Sequence, residues 1–209
     1  MIPTVTATEI RNIILATKNS SPGWDDIPAS VAKKCIDCYI FPLTHIINNS
    51  IMEGVFPSEL KLARVVPLFK SGDSAQITNY RPISVLSFFS KIFERVIYNH
   101  IVDFMDSNDS IYKYQFGFRE RHSTQQAIIT LVEKITSSLD NGDIVIGVFL
   151  DLKKAFDTVD HHILLNKLFA YGIRGSTLKW FESYLTDRSQ YLTYDGIQSI
   201  ILPIKCGVP

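Results

Sequence analysis

The apolar positions along the chain change period several times, and each change predicts an element. Near the start, Ile10, Ile13 and Ile14 fall on one face of a helix. Thr6 followed by Glu9 fits a capping box ahead of them, so a helix is predicted to about Lys18. The turn-rich SSPGWDD leads to Pro28, suited to a helix's first turn, and Pro42 argues against one clean helix from there. Residues 28–53 therefore read as two helices, the second closed by Gly54. From Ala63 the pattern becomes extended: ARVVPLF and YRPISVLS read as two strands joined by a loop, with Lys70 at its start and Arg81 on its return. Pro67 and Pro82 restrict both to edge or irregular strands. Phe89, Ile92, Phe93, Val96, Ile97, Ile101 and Phe104 then restore helical spacing over residues 88–105 and predict a core stripe.

Further on, Ser123 or Thr124 can cap a helix to about Leu139, and NGD breaks it. DIVIGVFLDLKKAFDTVD carries a nearly continuous apolar run, which predicts a strand covered on both faces and ending at Asp151. Asp160 or Thr158 can cap HHILLNKLFAYG, which Gly172 closes, and STLKWFESYLTD supplies another helix after Ser176. YLTY and IQSIILPI flank Asp195-Gly196, a strong short hairpin signal. Helices, a strand pair, helices, a buried strand, two helices and a hairpin make an α+β layout, not regular βαβ alternation.

Composition narrows the class. With 209 residues, 46% of them hydrophobic, the chain can bury a core as one domain or two small ones. No apolar run approaches the ~18 residues of a membrane span, and the start lacks a basic head followed by an apolar block, so a soluble, intracellular protein without a membrane partner is expected. Three thiols (Cys35, Cys38, Cys206) do not make a disulfide framework. Cys35 and Cys38 form a CxxC, but no second pair or nearby histidine completes a zinc site. Lys plus Arg and Asp plus Glu are both 21, yet residues 61–125 hold 9 basic and 6 acidic side chains. That excess is compatible with a phosphate-contacting surface and equally with a solvated mixed face.

The chemistry centres on Asp151. A carboxylate held rigidly at a strand end and facing a cleft is a good oxygen ligand for Mg²⁺, which keeps several waters and meets substrate phosphates. Two ions about 3.5–4 Å apart would need further acidic residues from elsewhere in the chain. Asp151 read alone could equally end a strand and begin a turn; Asp157 and Asp160 suit turn and cap positions. No P-loop pattern is present, and Asp151, Asp157 and Asp160 lack the spacing of a calcium loop.

FLDLKKAFDTVDH resembles the first catalytic motif of non-LTR retrotransposon reverse transcriptases, and further segments match in the same order. They are ARVVPLFKSGD, NYRPISVLS with the later KIFER, QFGFRERHSTQQA, LTDRSQY and the terminal GVP, with SPGWDDIPAS similar to the family's upstream SPGxDxIP. The jockey and chicken-repeat types look most similar. The resemblance implies the fingers and palm of a right-hand polymerase, incomplete and without a thumb: residues 1–60 as a helical extension, residues 61–209 as interleaved fingers and partial palm.

It also implies roles. Asp151 would be catalytic and a metal ligand, with the backbone carbonyl of Leu152 facing a metal; the cofactor would be Mg²⁺, two ions in the intact enzyme. Phe156 falls at the steric gate that rejects a ribose 2′-hydroxyl; Lys70 and Arg81 fall at the positions that hold the incoming triphosphate. Gln115, Gly117 and Arg119 match a template-side segment, where Gly117 would permit close backbone approach and Arg119 would meet phosphate. Asp25 and Asp26 lie upstream of Asp151, whereas the family's paired aspartates lie downstream, so they read as turn formers. The implied activity is RNA-directed DNA synthesis on an RNA template, a DNA primer and dNTPs, in nucleus and cytoplasm. The paired aspartates and thumb are not among these residues, so this stretch is expected to be inactive alone. A non-catalytic remnant that binds nucleic acid through its basic middle third is the alternative.

Overall fold

The computed structural model describes residues 2–208 as seven helices and one small mixed sheet. Pro209, the end of the GVP segment, lies outside the described residues. Contacts divide the chain into two units, Met1–Val102 with Ala155–Pro209, and Asp103–Lys154.

In the first unit Thr6 caps the opening helix, the N-cap half of the box that the sequence suggests. Thr6 Oγ1 accepts from Glu9 N–H at 3.2 Å, and helix α1 (Ala7–Ala16) buries Ile10, Ile13 and Ile14. Two helices follow, α2 (Ala29–Lys34) and α3 (Ile36–Glu53), the latter closed by Gly54 in the left-handed region. The break falls at Cys35 and not at Pro42, which lies inside α3. The reason is the side on which the proline sits. Pro42 and Cys38 are exposed, so the Cys38 carbonyl that loses its helical donor can be hydrated, while Ile36, Ile40, Leu43, Ile47 and Ile51 hold the opposite face in the core.

Helix α4 (Phe88–Ser107) buries Phe88, Ile92, Phe93, Val96 and Ile97 against that core. Helix α7 (Gly175–Leu185) packs on α3 and on α6 (His161–Ala170), and adds Trp180. Phe56 binds these pieces together, its ring edge-on to Phe93, Trp180 and Tyr184 with centroids 5.8, 5.4 and 5.1 Å away. Trp180 Nε1 donates to Ser50 Oγ at 2.9 Å, so the buried indole keeps a partner.

The sheet runs β2 (Tyr80–Val85), β1 (Leu62–Phe69), β3 (Ser189–Tyr194), β4 (Ile197–Gln198), with β5 (Leu202–Pro203) also on β3. β1 and β2 are antiparallel, with Pro67 opposite Pro82. β2 is an edge strand as its proline requires, but β1 is internal, pairing parallel to β3 over Leu62–Val65. Pro67 is tolerated because it lies beyond that parallel register, where β3 asks for no donor. Asp195 and Gly196 turn β3 into β4 with φ of 49° and 77°, the two positive values a primed hairpin turn needs.

The second unit holds the end of α4, a loop and helix α5 (Thr124–Asp140). Ser123 and Gln126 complete a reciprocal capping box at its start. None of the α5 residues is buried. Residues 144–150, expected as a strand buried on both faces, form no strand at all, and Phe149 and Leu150 are 88% and 89% exposed. A buried strand needs a ladder partner on its edges and cover on both faces, and the described residues supply neither to this segment. Among the described residues, no helix is long and apolar enough to cross a membrane.

Candidate active site

The loop between β1 and β2 is rigidified by its own side chains. Asp73 Oδ1 accepts from Ala75 N–H at 2.9 Å, Asn79 Nδ2 donates to the Asp73 carbonyl at 2.9 Å, and Tyr80 Oη donates to the Ser74 carbonyl at 3.0 Å. Lys70 leaves β1 with its N–H on the Asn79 carbonyl, 2.9 Å. Leu68 stands opposite Arg81, and side chains alternate along a strand, so the side chains of Leu68, Lys70 and Arg81 share one face of the ribbon. Both cations are exposed. The other face carries Phe69 and Tyr80, with ring centroids 5.4 Å apart, and Tyr194 from β3 at 6.5 Å from Tyr80.

That second face continues into a cavity of about 510 Å³ lined by Ala63, Val65, Pro82, Ser84, Gln190 and the segment from Ile204 to Val208. The chain's last described residues are pinned there to the turn that follows Ala155. Val208 N–H donates to the Phe156 carbonyl at 3.1 Å, and Gly207 N–H to the Val159 carbonyl at 2.8 Å. His161 Nε2 meets the Gly207 carbonyl at 2.7 Å, and Cys206 Sγ lies 3.5 Å from the Asp157 carbonyl. Gly207 has φ of 85°, and a Cβ there would come within 2.9 Å of the Asp157 carbonyl oxygen, so only glycine allows the approach. Phe156 is 58% exposed beside this junction.

Asp151 lies in the other unit, exposed, directly after the unpaired 144–150 segment, and Leu152 is exposed as well. Among the described residues no three His, Cys, Asp or Glu side chains converge as a metal-ion ligand set. A two-metal centre therefore does not fit the donors present: Asp151 offers one carboxylate, and the second ion's ligands have no counterpart here. In the same unit, Arg119 lies 3.8 Å from Asp106, and Gln115 Nε2 donates to the Gly117 carbonyl at 3.4 Å. A Cβ at Gly117 would meet nothing within 4 Å, so the packing leaves the space over that backbone open.

Asp25 and Asp26 take the roles expected of turn residues. Asp25 Oδ1 accepts from Ile27 N–H at 3.3 Å, while Asp26 pairs with Arg64 at 3.2 Å, and Arg64 also donates to the Pro22 carbonyl. Beside them, a Cβ on Gly23 would fall 2.5 Å from Ser87 N, so the SPG turn lies directly on the junction between β2 and α4.

A further group was not apparent from spacing. Tyr184 Oη donates to Glu94 Oε1 at 2.9 Å, Ser90 Oγ lies 3.4 Å from the same oxygen, and Arg188 Nη1 donates to the Tyr184 carbonyl at 3.1 Å. The Arg188 guanidinium lies over the Tyr184 ring, 4.9 Å from its centroid, and the residue is 2% exposed. Its Nε and Nη2 find no partner among the described residues. Burial pushes the Glu94 carboxyl and the Tyr184 phenol upward and pulls the Arg188 guanidinium down. Glu94 belongs to KIFER and Arg188 to LTDRSQY, so two segments far apart in the chain meet in one buried network.

Residues 70–209 match the family model for reverse transcriptase (RNA-dependent DNA polymerase). The chain is 32% identical over 210 residues to the RNA-directed DNA polymerase from mobile element jockey of Drosophila melanogaster, covering 98% of this chain and 22% of that protein. It is 32% identical over 211 residues to the probable RNA-directed DNA polymerase from transposon BS of the same species, covering 96% and 22%. The Pol polyprotein from type-1 retrotransposable element R2 of Popillia japonica is 24% identical over 201 residues, 96% of this chain and 27% of that protein. The chain thus spans 22% of the length of the first two relatives, and its similarity to them extends through the N-terminal helices that the family model leaves out. Matched by that model over residues 70–209 and by those relatives over nearly all its length, the chain belongs to the reverse transcriptase family of non-LTR retrotransposons.

Proposed function

We propose that this chain forms the fingers and the first part of the palm of an RNA-directed DNA polymerase, with residues 1–60 as a helical extension and residues 61–209 as interleaved fingers and palm. The polymerase that carries it extends a DNA primer on an RNA template. The primer 3′-hydroxyl loses its proton and forms a bond to the α-phosphorus of a dNTP, the α–β phosphoanhydride bond breaks, and pyrophosphate leaves. In this reading Lys70 holds triphosphate oxygens as a point charge and Arg81 as a fork. Phe156 closes the space a ribose 2′-hydroxyl would need. Asp151 is the one carboxylate contributed by these residues, with the Leu152 carbonyl beside it, and Gln115, Gly117 and Arg119 face the template.

The observation that carries the reading is the shared exposed face of Lys70 and Arg81 at the β1–β2 loop. The segment ending at Val208 is pinned to the Phe156–Val159 turn on one face of the β1–β2 ribbon, and the ribbon's opposite face presents the exposed Lys70 and Arg81 together. Two exposed cations side by side support contact with a triphosphate at that face. The open space over Gly117 supports a close-approaching ligand there.

Primer extension on an RNA template by the polymerase containing this chain tests the proposal. Asp151→Asn should lower extension by roughly a hundredfold or more, Lys70→Ala and Arg81→Ala should raise the KM for dNTP, and Phe156→Ala should admit ribonucleotides. Extension that survives Asp151→Asn unchanged would overturn the assignment.

A further inference from the structure

Phe156 stands in a turn that belongs to no helix or strand. A ring that has to exclude a single oxygen atom needs a backbone held to a fraction of an ångström, and a turn held only by itself does not supply that. A strap supplies it. Residues 204–208 lie along the turn and reach three of its carbonyls: Val208 N–H donates to Phe156 at 3.1 Å, Gly207 N–H to Val159 at 2.8 Å, and Cys206 Sγ to Asp157 at 3.5 Å. At its other end the strap is rooted in the sheet, where β5 pairs with β3 and Ile204 N–H donates to the Arg188 carbonyl at 2.8 Å.

One side chain locks the strap down. His161 Nε2 meets the Gly207 carbonyl at 2.7 Å, and because a carbonyl only accepts, Nε2 carries the proton. Gly207 is thereby gripped at both of its polar groups, its N–H by Val159 and its carbonyl by His161. The imidazole is half-buried and stands on the first residue of α6, whose start is fixed by Asp160 Oδ1 accepting from Ile163 N–H at 2.9 Å. His162, one residue on, provides the contrast. It is exposed, and its Nδ1 meets Asn166 Nδ2 of its own helix at 3.2 Å.

We infer that His161 is a positioning residue for sugar selection: by holding the Gly207 carbonyl it locks the strap onto the 156–159 turn and so fixes the Phe156 ring against a ribose 2′-hydroxyl. This role rests on Phe156 acting as the sugar gate. A gate of this kind works by distance alone, so a ring that recoils by about an ångström loses selectivity. The triphosphate contacts of Lys70 and Arg81 lie on another element and are left in place.

Primer extension by the polymerase containing this chain, with kcat/KM measured for a dNTP and for the matching rNTP, tests the role. His161→Ala should lower the dNTP-over-rNTP ratio roughly tenfold, chiefly through a gain for the rNTP. His161→Gln, whose amide Nε2 reaches about as far as the imidazole Nε2, should keep the ratio within about threefold of wild type. His162→Ala should match wild type. In a Phe156→Ala background, His161→Ala should change the ratio no further, because the two act through one ring. The ratio is taken within each preparation, so a variant that folds in lower yield still reports. If Phe156→Ala admits ribonucleotides while His161→Ala discriminates as wild type, the positioning role is overturned and the gate stands. Equal losses for both nucleotides in His161→Ala, or a further drop in the double variant, would also overturn it. An unchanged ratio in Phe156→Ala would overturn the gate itself, and the role of His161 with it.

Discussion

Tyr184 hands a hydrogen bond to Glu94 in the interior, and Arg188 closes the group from the other side, so three ionisable side chains share a region with little water. Burying such a set costs desolvation energy that pairing only partly offsets, and removing one partner leaves the others uncompensated. Arg188→Met should therefore lower stability by about 3 kcal/mol in urea denaturation. Glu94→Gln combined with Arg188→Met should lose clearly less than the sum of the single losses, a coupling of about 1 kcal/mol or more. Strict additivity would show that the contacts are geometric only. Burial raises the Glu94 carboxyl above the usual glutamate value of about 4.3. A raised folded-state value means that this group's stabilising contribution is complete below that pH and is lost as pH climbs through the raised value. Wild-type stability should thus fall relative to Glu94→Gln as pH increases from about 4 towards neutrality. A thermal-midpoint difference that stays flat across that window would remove the shift.

At the scale of elements, helices were legible wherever a cap and a stripe agreed. Thr6 with Ile10, Ile13 and Ile14 needed only local signals, while at α5 the sequence left Ser123 and Thr124 both open as caps and the structure selects Ser123, paired with Gln126. Pro42 misled because a proline's cost depends on whether the freed carbonyl meets water, and that depends on which helix face is packed. The 144–150 segment misled for the converse reason: an apolar run states a capacity for burial, while burial itself needs partners. Hydrogen–deuterium exchange should find the amides of residues 144–150 exchanging fast, and those from Ile92 to Ile97 in α4 strongly protected. Slow exchange in 144–150 would show that a ladder forms there.

For the whole molecule, most burial lies in one of the two units. The large cluster joining α1, α3, α4 and α7 is there, whereas no residue of α5 in the Asp103–Lys154 unit is buried. Limited trypsin digestion should accordingly cut first at the exposed Lys153 and Lys154, leaving the segments around α1–α4 and α6–β3 resistant. Early cleavage at Lys91 or Arg188, inside the buried cluster or beside it, would contradict that ranking of stability. The candidate site follows the same division. Lys70 and Arg81 were legible as the ends of one loop, and the register adds that they share a face. The pinning of Gly207 to Val159 and the meeting of Glu94 with Arg188 were not legible, because no local period encodes which distant segments touch.

The sequence by itself determined the helix starts marked by a side-chain cap, the antiparallel pair around Lys70 and Arg81, the Asp195-Gly196 turn and the family, since each rests on local bonds or on an ordered series of segments. Only the tertiary structure decided that β1 lies parallel to β3 inside the sheet, that α3 runs through Pro42, and that KIFER and LTDRSQY share a buried network. It also decided that the run before Asp151 stays unpaired among the described residues. These outcomes depend on which surfaces find partners, and burial and pairing are properties of the assembled chain.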